Sequence, residues 1–466
     1  MNGARTFEFR LAAVALALGC VAGLVHTASV VGLHIPFDPN EGWNAYFAQR
    51  AMQTGSPYPP DGGFMVNNYP PLSFFVIGSL AHTLGDAIVV GRIVSLLALG
   101  FCALAIADAA REMGCDRTQG TFAALLFVAC ILLTSDYAGM NDPQLLGHAI
   151  SLFGLIVALR QPRGPRAMVA SALLCVLALF VKHNLVFLPL SLAFWLLLAD
   201  RRCASTFIMS GVIFSLIGLG VFRTAFGTTL FHQIASPRVY AFSNITVAVR
   251  NWLPWAVMPL CGAVLLFAIG RRDLFAGFAL IYVVVSVIGG ILLSGGAGVD
   301  ANAMFDADIA LALCAGLLLD RLENRWWGGW LALAYVISLA WLLRGVDGDW
   351  TSRDYWYRPM NDDRKVAAAE ISLLRSEPNP VLCEMLSLCY WAGRQAEVDV
   401  FNIDQAMRAG ARPDTQLVHQ IEAKRFSLIE LESLKPFPLS GGVEQALLRN
   451  YTVVRTDDER VFLKPR

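Results

Sequence analysis

The chain has 466 residues, of which 56% are hydrophobic and only 15% charged, and its mean hydropathy is +0.54. A soluble chain would carry roughly 25% charge, so this composition excludes a disordered or fibrous protein and argues against an ordinary cytosolic enzyme. It fits many membrane spans. Lys plus Arg and Asp plus Glu number 36 each, so no global field attracts nucleic acid. Ten cysteines are scattered, mostly inside apolar runs. None forms a CxxC or His-Cys cluster that would suggest a structural metal.

A spanning helix needs about 20 apolar residues. Candidate runs lie at 11–33, 87–109, 119–135, 143–159, 167–181, 184–199, 205–226, 252–270, 274–293, 305–320 and 327–344. Arg5, Arg10 and Cys20 give the first run some look of a secretory or lipoprotein leader. It lacks the leucine expected three residues before a lipoprotein cysteine, and it continues to Leu33, so it reads as a retained helix. The segment 71–84 has only about 14 residues and reads as a re-entrant or interfacial helix.

Charge sets the orientation. With a cytoplasmic N-terminus and 71–84 not spanning, the inner loops hold Arg111 and Arg117; Arg160, Arg163 and Arg166; Arg201 and Arg202; Arg271 and Arg272; and Arg321 and Arg325. Every compact basic cluster then faces inward, as the positive-inside rule requires. If 71–84 spanned, all of them would flip. Eleven spans therefore put the C-terminus outside.

The tail is polar and mixed in charge. Val381-Leu382, Val398-Asp399-Val400 and Tyr451 to Val454 read as short strands, and 363–375 and 413–434 have helical spacing. The expected fold is an all-α polytopic membrane protein of about eleven spans with a small α/β extracytoplasmic C-terminal domain. The membrane part covers 1–345, with an outer loop at 34–86, and the tail covers 346–466. Cys383 and Cys389 lie in the tail, where an oxidising compartment permits a disulfide. The sequence has no internal repeat, so it lacks the inverted-repeat signature of many transporters.

Chemistry concentrates at the outer helix ends. Asp38 and Glu41 follow the first span, and Trp43, Tyr46 and Phe47 follow at helical spacing, as in a helix lying in the interface. Carboxylates at an apolar boundary lose solvation and gain basicity, which suits a general base. A plain helix cap by Asp38 and a solvated Glu41 explain the same pattern. Asn67, Asn68 and Tyr69 precede a Pro-Pro re-entry and offer hydroxyl-binding amides, or form a simple turn. Asp136, Asn141 and Asp142 make a second acidic loop, in which Asp142 before Pro143 also suits a helix start. Lys182, His183 and Asn184 sit between two spans with almost no loop. A cation there needs an anionic partner, or else snorkels to the headgroups. Arg238 lies in a later outer loop. Ser294 to Asp306 is glycine-rich and carries Asp300 and Asn302, but it follows no strand and is not a nucleotide loop.

Together, DPNEGWNAYFAQRAMQTGSPY, NYPPLSFF and GRIVSLLALG resemble the GT-C superfamily of membrane glycosyltransferases. The likeness is to the branch of protein O-mannosyltransferases, aminoarabinose transferases and bacterial lipopolysaccharide transferases. It covers roughly residues 10–345. The resemblance implies a polyprenyl-phosphate sugar donor and transfer, with inversion, to a glycan, lipid or protein acceptor on the outer face of the inner membrane. Asp38 or Glu41 would be the base. Lys182, His183 and Arg238 would hold the donor phosphate, with Asp136 and Asp142 in the second acidic loop. Asn67, Asn68, Tyr69, Asn184 and Asn302 would contact sugar or acceptor. The resemblance implies no cofactor, although some relatives use a divalent ion. One departure is that Asn40 stands where many members have the first acid of an adjacent pair. That leaves Asp38, the preferred candidate, or Glu41, or a chain that binds without catalysing.

Competing readings are a flippase for a lipid-linked saccharide, a polysaccharide ligase or polymerase, and a non-catalytic assembly subunit. A transporter predicts charge near the bilayer midplane. Asp108, His148 and Asp308 are the only candidates of that kind, and the other polar groups crowd the outer ends.

Overall fold

The computed structural model describes residues 7–134, 136–162, 164–269, 273–322, 326–342, 353–378, 380–457 and 460–466. Arg5, Arg163, Arg271, Arg272, Arg325 and the 345/346 boundary lie outside them.

The chain opens with α1 (Phe7–Val30), α2 (Pro39–Thr54) and α3 (Leu72–Leu84). Next come α4 (Ala87–Glu112), α5 (Arg117–Thr134), α6 (Gln144–Arg160), α7 (Pro165–Val181), α8 (Phe187–Ala199) and α9 (Arg201–Phe226). A short α10 (Thr229–Ile234) precedes α11 (Phe242–Ile269), α12 (Leu274–Leu293), α13 (Phe305–Arg321) and α14 (Trp326–Leu342). Each of the eleven apolar runs is a helix. Among the described residues, six helical stretches are long and apolar enough to cross a membrane by themselves, including Ala301–Arg321, which contains α13. The shorter ones are apolar helices packed beside them. The thirteen residues of α3 reach only about 20 Å, as expected of a non-spanning segment.

Aspartates start several of these helices. Asp86 Oδ1 accepts from Ile88 N and Val89 N at the head of α4. Asp200 does the same for α9, and Asp273 for α12. Each satisfies backbone donors that the first turn leaves open. The core runs through α13, whose side chains from Phe305 to Leu319 are all buried. By contrast α1 and α9 turn most of their apolar surface outward, as lipid-facing helices do.

In the tail, α15 (Arg353–Ser376) leads to β1 (Val381–Cys383), α16 (Leu386–Trp391), α17 (Val400–Arg408) and α18 (Thr415–Glu422). Then follow β2 (Leu428–Leu431), α19 (Gly441–Asn450), β3 (Tyr451–Thr456) and β4 (Val461–Pro465). The sheet order is β1-β2-β4-β3, with β1 and β2 parallel and the other pairs antiparallel. Two expectations need correcting. Val398 to Val400 is no strand, because Asp399 accepts from Asn402 N and caps α17. The stretch 413–434 is not one helix: Lys424 takes φ 52° after α18, and the fully buried β2 follows. Cys383 and Cys389 form a disulfide.

The tail shares its core with the membrane part. Ile371, Leu388 and Leu428 pack in one cluster with Ala45, Ala48 and Ile88. A Cβ on Gly42 would stand 2.1 Å from Ser387 N, so the bare backbone of α2 is what admits the tail. Trp43 and Phe47 are therefore buried among Phe74 and Leu386 rather than lying open to lipid, as an interfacial helix would have them.

Candidate active site

The helix ends named from the sequence meet on one face. Asp38 caps α2, its Oδ1 accepting from Asn40 N at 2.7 Å. Pro39 occupies the first helical position, where its missing N–H costs nothing. Burial raises the Asp38 carboxyl to about 6, against the Asn40 hydrogen bond and helped by the charges of Asp142, Glu41 and Asp300.

Glu41, three residues on, is fully buried. Arg92 of α4 grips it with Nε to Oε1 and Nη2 to Oε2, both at 2.6 Å. Phe37 N and Asn141 N also donate to it, each at 3.1 Å. This carboxylate ties α1, α2, α4 and the second acidic loop into one corner. The loop can approach because Gly91 bears no Cβ, which would stand 1.7 Å from Asn141 Oδ1.

Asp142 is also buried, with its two oxygens 2.6 and 2.8 Å from Lys182 Nζ. It caps α6 as well, accepting from Gln144 N. The ring of Tyr69 covers the ammonium at 4.7 Å and that of Tyr137 at 5.9 Å. Gln144 Oε1 accepts from Asn184 and Asn302, at 3.3 and 3.2 Å. Asn67 is spent on structure, donating to Pro57 O and accepting from Tyr69 N.

In front of this layer opens a cleft of about 300 Å³. Asp38, Asn68, Tyr69 and Arg238 line it, with Asp300 from the glycine-rich loop. The Asn68 amide oxygen, in the orientation that satisfies both groups, accepts from Arg238 Nε at 3.2 Å and Nη2 at 2.5 Å. Arg238 Nη1 also donates to Ala297 O. The tail closes the other side with Glu384, Asp399, Phe401 and Glu432. Asp399 accepts from Trp43 Nε1 at 2.9 Å. Gly298, at φ 69°, lets Phe401 pass where a Cβ would stand 2.3 Å from its ring. Burial raises Glu384 to about 7.

The structure thus brings Asp38, Asn68, Tyr69 and Arg238 to one cleft. Glu41, Asn67, Asp142 and Lys182 form a buried layer behind it, linked through Gln144 to Asn184 and Asn302. Asp136 is exposed in a short 3-10 turn outside the lining. His183 stands beside the Tyr69 ring, with centroids 6.2 Å apart, and is not part of the lining of this cleft. Sequence reasoning missed Tyr137 and all four tail residues. More than three hundred positions separate Asp38 from Glu384, and no local pattern links them. Among the described residues, no group of three or more His, Cys, Asp or Glu is placed to hold a metal ion.

Residues 68–223 match the family described as dolichyl-phosphate-mannose-protein mannosyltransferase. Two solved structures share the fold over nearly the whole chain. ArnT from Cupriavidus metallidurans bound to undecaprenyl phosphate is 15% identical, with a TM-score of 0.61, over 96% of this chain and 97% of that one. ArnT from the same organism in the apo state is 16% identical, with a TM-score of 0.58, over 96% and 98%. No curated protein matches the chain. The chain thus has the fold of these two ArnT structures over nearly its whole length, as the resemblance in the sequence led us to expect.

Proposed function

We propose that this chain is a membrane glycosyltransferase that moves one sugar from a polyprenyl-phosphate donor to a hydroxyl of a lipid, glycan or protein acceptor. The observation that carries this reading is the pairing, across one cleft, of a desolvated carboxylate, Asp38, with a fixed guanidinium, Arg238. The solved relative bound to undecaprenyl phosphate supports the donor class.

Asp38 Oδ1 is held by the helix cap, which leaves Oδ2 to take the acceptor proton. The acceptor oxygen attacks the anomeric carbon as the bond from that carbon to the phosphate oxygen breaks. Displacement from the opposite face inverts the centre. Polyprenyl phosphate leaves with the bonding electrons, and Arg238, steadied by Asn68, meets its charge. Lys182 stands behind Tyr69 with its charge balanced by Asp142, so it adds the dipole of that pair rather than a free charge. Glu41 positions Asp38 and takes no proton.

The cleft face is the outer face in this reading, with the N-terminus cytoplasmic in a bacterial inner membrane and the tail periplasmic. The opposite face supports it. There Arg160 pairs with Asp108 and Glu112, and Arg321 with Asp273, beside Arg111, Arg117, Arg201 and Arg202. Purified protein in nanodiscs, given a panel of labelled polyprenyl-phosphate sugars and an envelope extract, tests the function. Donor consumption that Asp38→Asn abolishes supports it. Movement of donor between leaflets without cleavage, equal in the variant, replaces it with the flippase reading.

A further inference from the structure

A second cleft, of about 770 Å³, opens further along α2. Trp43 of this helix lines the first cleft, and Tyr46 and Phe47, one turn on, line the second. The tail is shared in the same way. Glu384 and Leu386 face the first cleft, and Tyr390 and Trp391 face the second. The Cys383–Cys389 disulfide closes the short segment that joins these two walls. The two clefts therefore follow one another along α2 and this segment of the tail.

The lining of the second cleft has a definite chemistry. Gln49 and Gln53 stand one turn apart on the exposed face of α2, and Gln395 faces them from the tail. Amides of this kind give and take hydrogen bonds in pairs, which suits vicinal hydroxyls. Aromatic rings form the wall, with Tyr46 and Tyr390 edge to face at 5.5 Å. Tyr46 is fixed by its bond to Arg394 O at 2.6 Å. Two guanidinium groups, Arg50 and Arg394, border the cleft. The carboxylate there, Asp86, is already engaged by Trp391 Nε1, the α4 cap and His34. Arg50 and Arg394 are engaged as well, by Tyr58 O and Leu374 O, so the cleft sets two cations against one carboxylate. In the first cleft the balance is reversed, because Arg238 stands among Asp38, Asp300, Asp399, Glu384 and Glu432.

We propose that the second cleft is a separate binding site for an acidic saccharide, the sugar portion of the acceptor, held while its reacting hydroxyl extends along α2 towards Asp38. The assignment to the acceptor rests on the transferase reading, but binding of saccharide does not. Full-length protein in nanodiscs is titrated with a fluorescein-labelled, phosphorylated core oligosaccharide freed of its lipid, and binding is read by anisotropy. Gln49→Ala/Gln53→Ala removes two exposed amides and is expected to weaken binding by about 10–30-fold. Arg238→Gln, in the first cleft, is expected to leave it unchanged. The dephosphorylated oligosaccharide is expected to bind more weakly. No binding by wild type, equal binding by the double variant, loss on Arg238→Gln alone, or indifference to phosphate would each overturn the proposal. If no donor sugar is ever transferred but the Gln-dependent binding remains, the transferase reading fails and the saccharide site stands.

Discussion

Glu41 and Arg92 form a two-pronged ion pair with both N···O distances at 2.6 Å and neither side chain exposed. Arg92 also donates to Leu33 O and Ile35 O, so the pair fixes the end of α1 against α4. A carboxylate so enclosed has no path to a substrate proton. Glu41→Gln is therefore expected to lose activity through the fold. Leaving Arg92 buried without its partner costs about 3–5 kcal/mol. The thermal midpoint in nanodiscs should fall with turnover, and Glu41→Leu/Arg92→Met should recover much of the midpoint. A Glu41→Gln protein of wild-type stability and no activity would restore Glu41 as the base.

Asp38→Asn should behave in the opposite way. Asn caps helices as well as Asp does, so the α2 start survives. Turnover should fall about 10²–10⁴-fold, the usual contribution of a general base. The folded carboxyl is raised to about 6, so ionisation disfavours the folded state above that pH. Removing the charge should leave the midpoint at pH 7.5 unchanged or higher. In wild type, kcat/KM should rise with pH through a limb near 6 and level off above it. A flat profile between pH 5 and pH 7 would remove Asp38 from the reaction.

The Lys182–Asp142 pair permits a separation of structure from charge. Lys182→Met strands a buried carboxylate and should destabilise the protein by about 3–5 kcal/mol. Adding Asp142→Asn removes that charge while keeping an acceptor for Gln144 N, so stability should return. Activity should not return, because the ion-pair dipole behind Tyr69 is gone. Full recovery of donor turnover in the double variant would show that the pair serves packing alone.

The membrane part was legible because each span is written locally, as a run of apolar residues bounded by charge. Asp38, Asn68, Tyr69 and Arg238 were legible for the same reason, each sitting at a helix end or in a short loop between helices. Their division into a cleft and a buried layer was not. Asp38 and Glu41 are three residues apart and chemically alike, and only Arg92, fifty-one positions further on, separates their roles. Lys182 looked available because its partner Asp142 lies forty positions away. The tail was read least well. β2 and β4 are short and gain their place from pairing with each other. The acids the tail lends to the cleft have no signature in its own sequence.

Tail docking gives the last prediction. The close approach of Gly42 to Ser387 involves backbone on both sides, so no flexible side chain can yield. Gly42→Ala should favour the helix itself by the difference in propensity, about 1 kcal/mol, yet push α16 away from α2. Both clefts lose their tail walls in that event, since Glu384 and Leu386 serve one and Tyr390 and Trp391 the other. The expected result is an intact membrane part, faster tryptic cleavage within 353–466, and loss of both donor turnover and oligosaccharide binding. Wild-type cleavage rates together with wild-type turnover in Gly42→Ala would show that the tail is not held at this point.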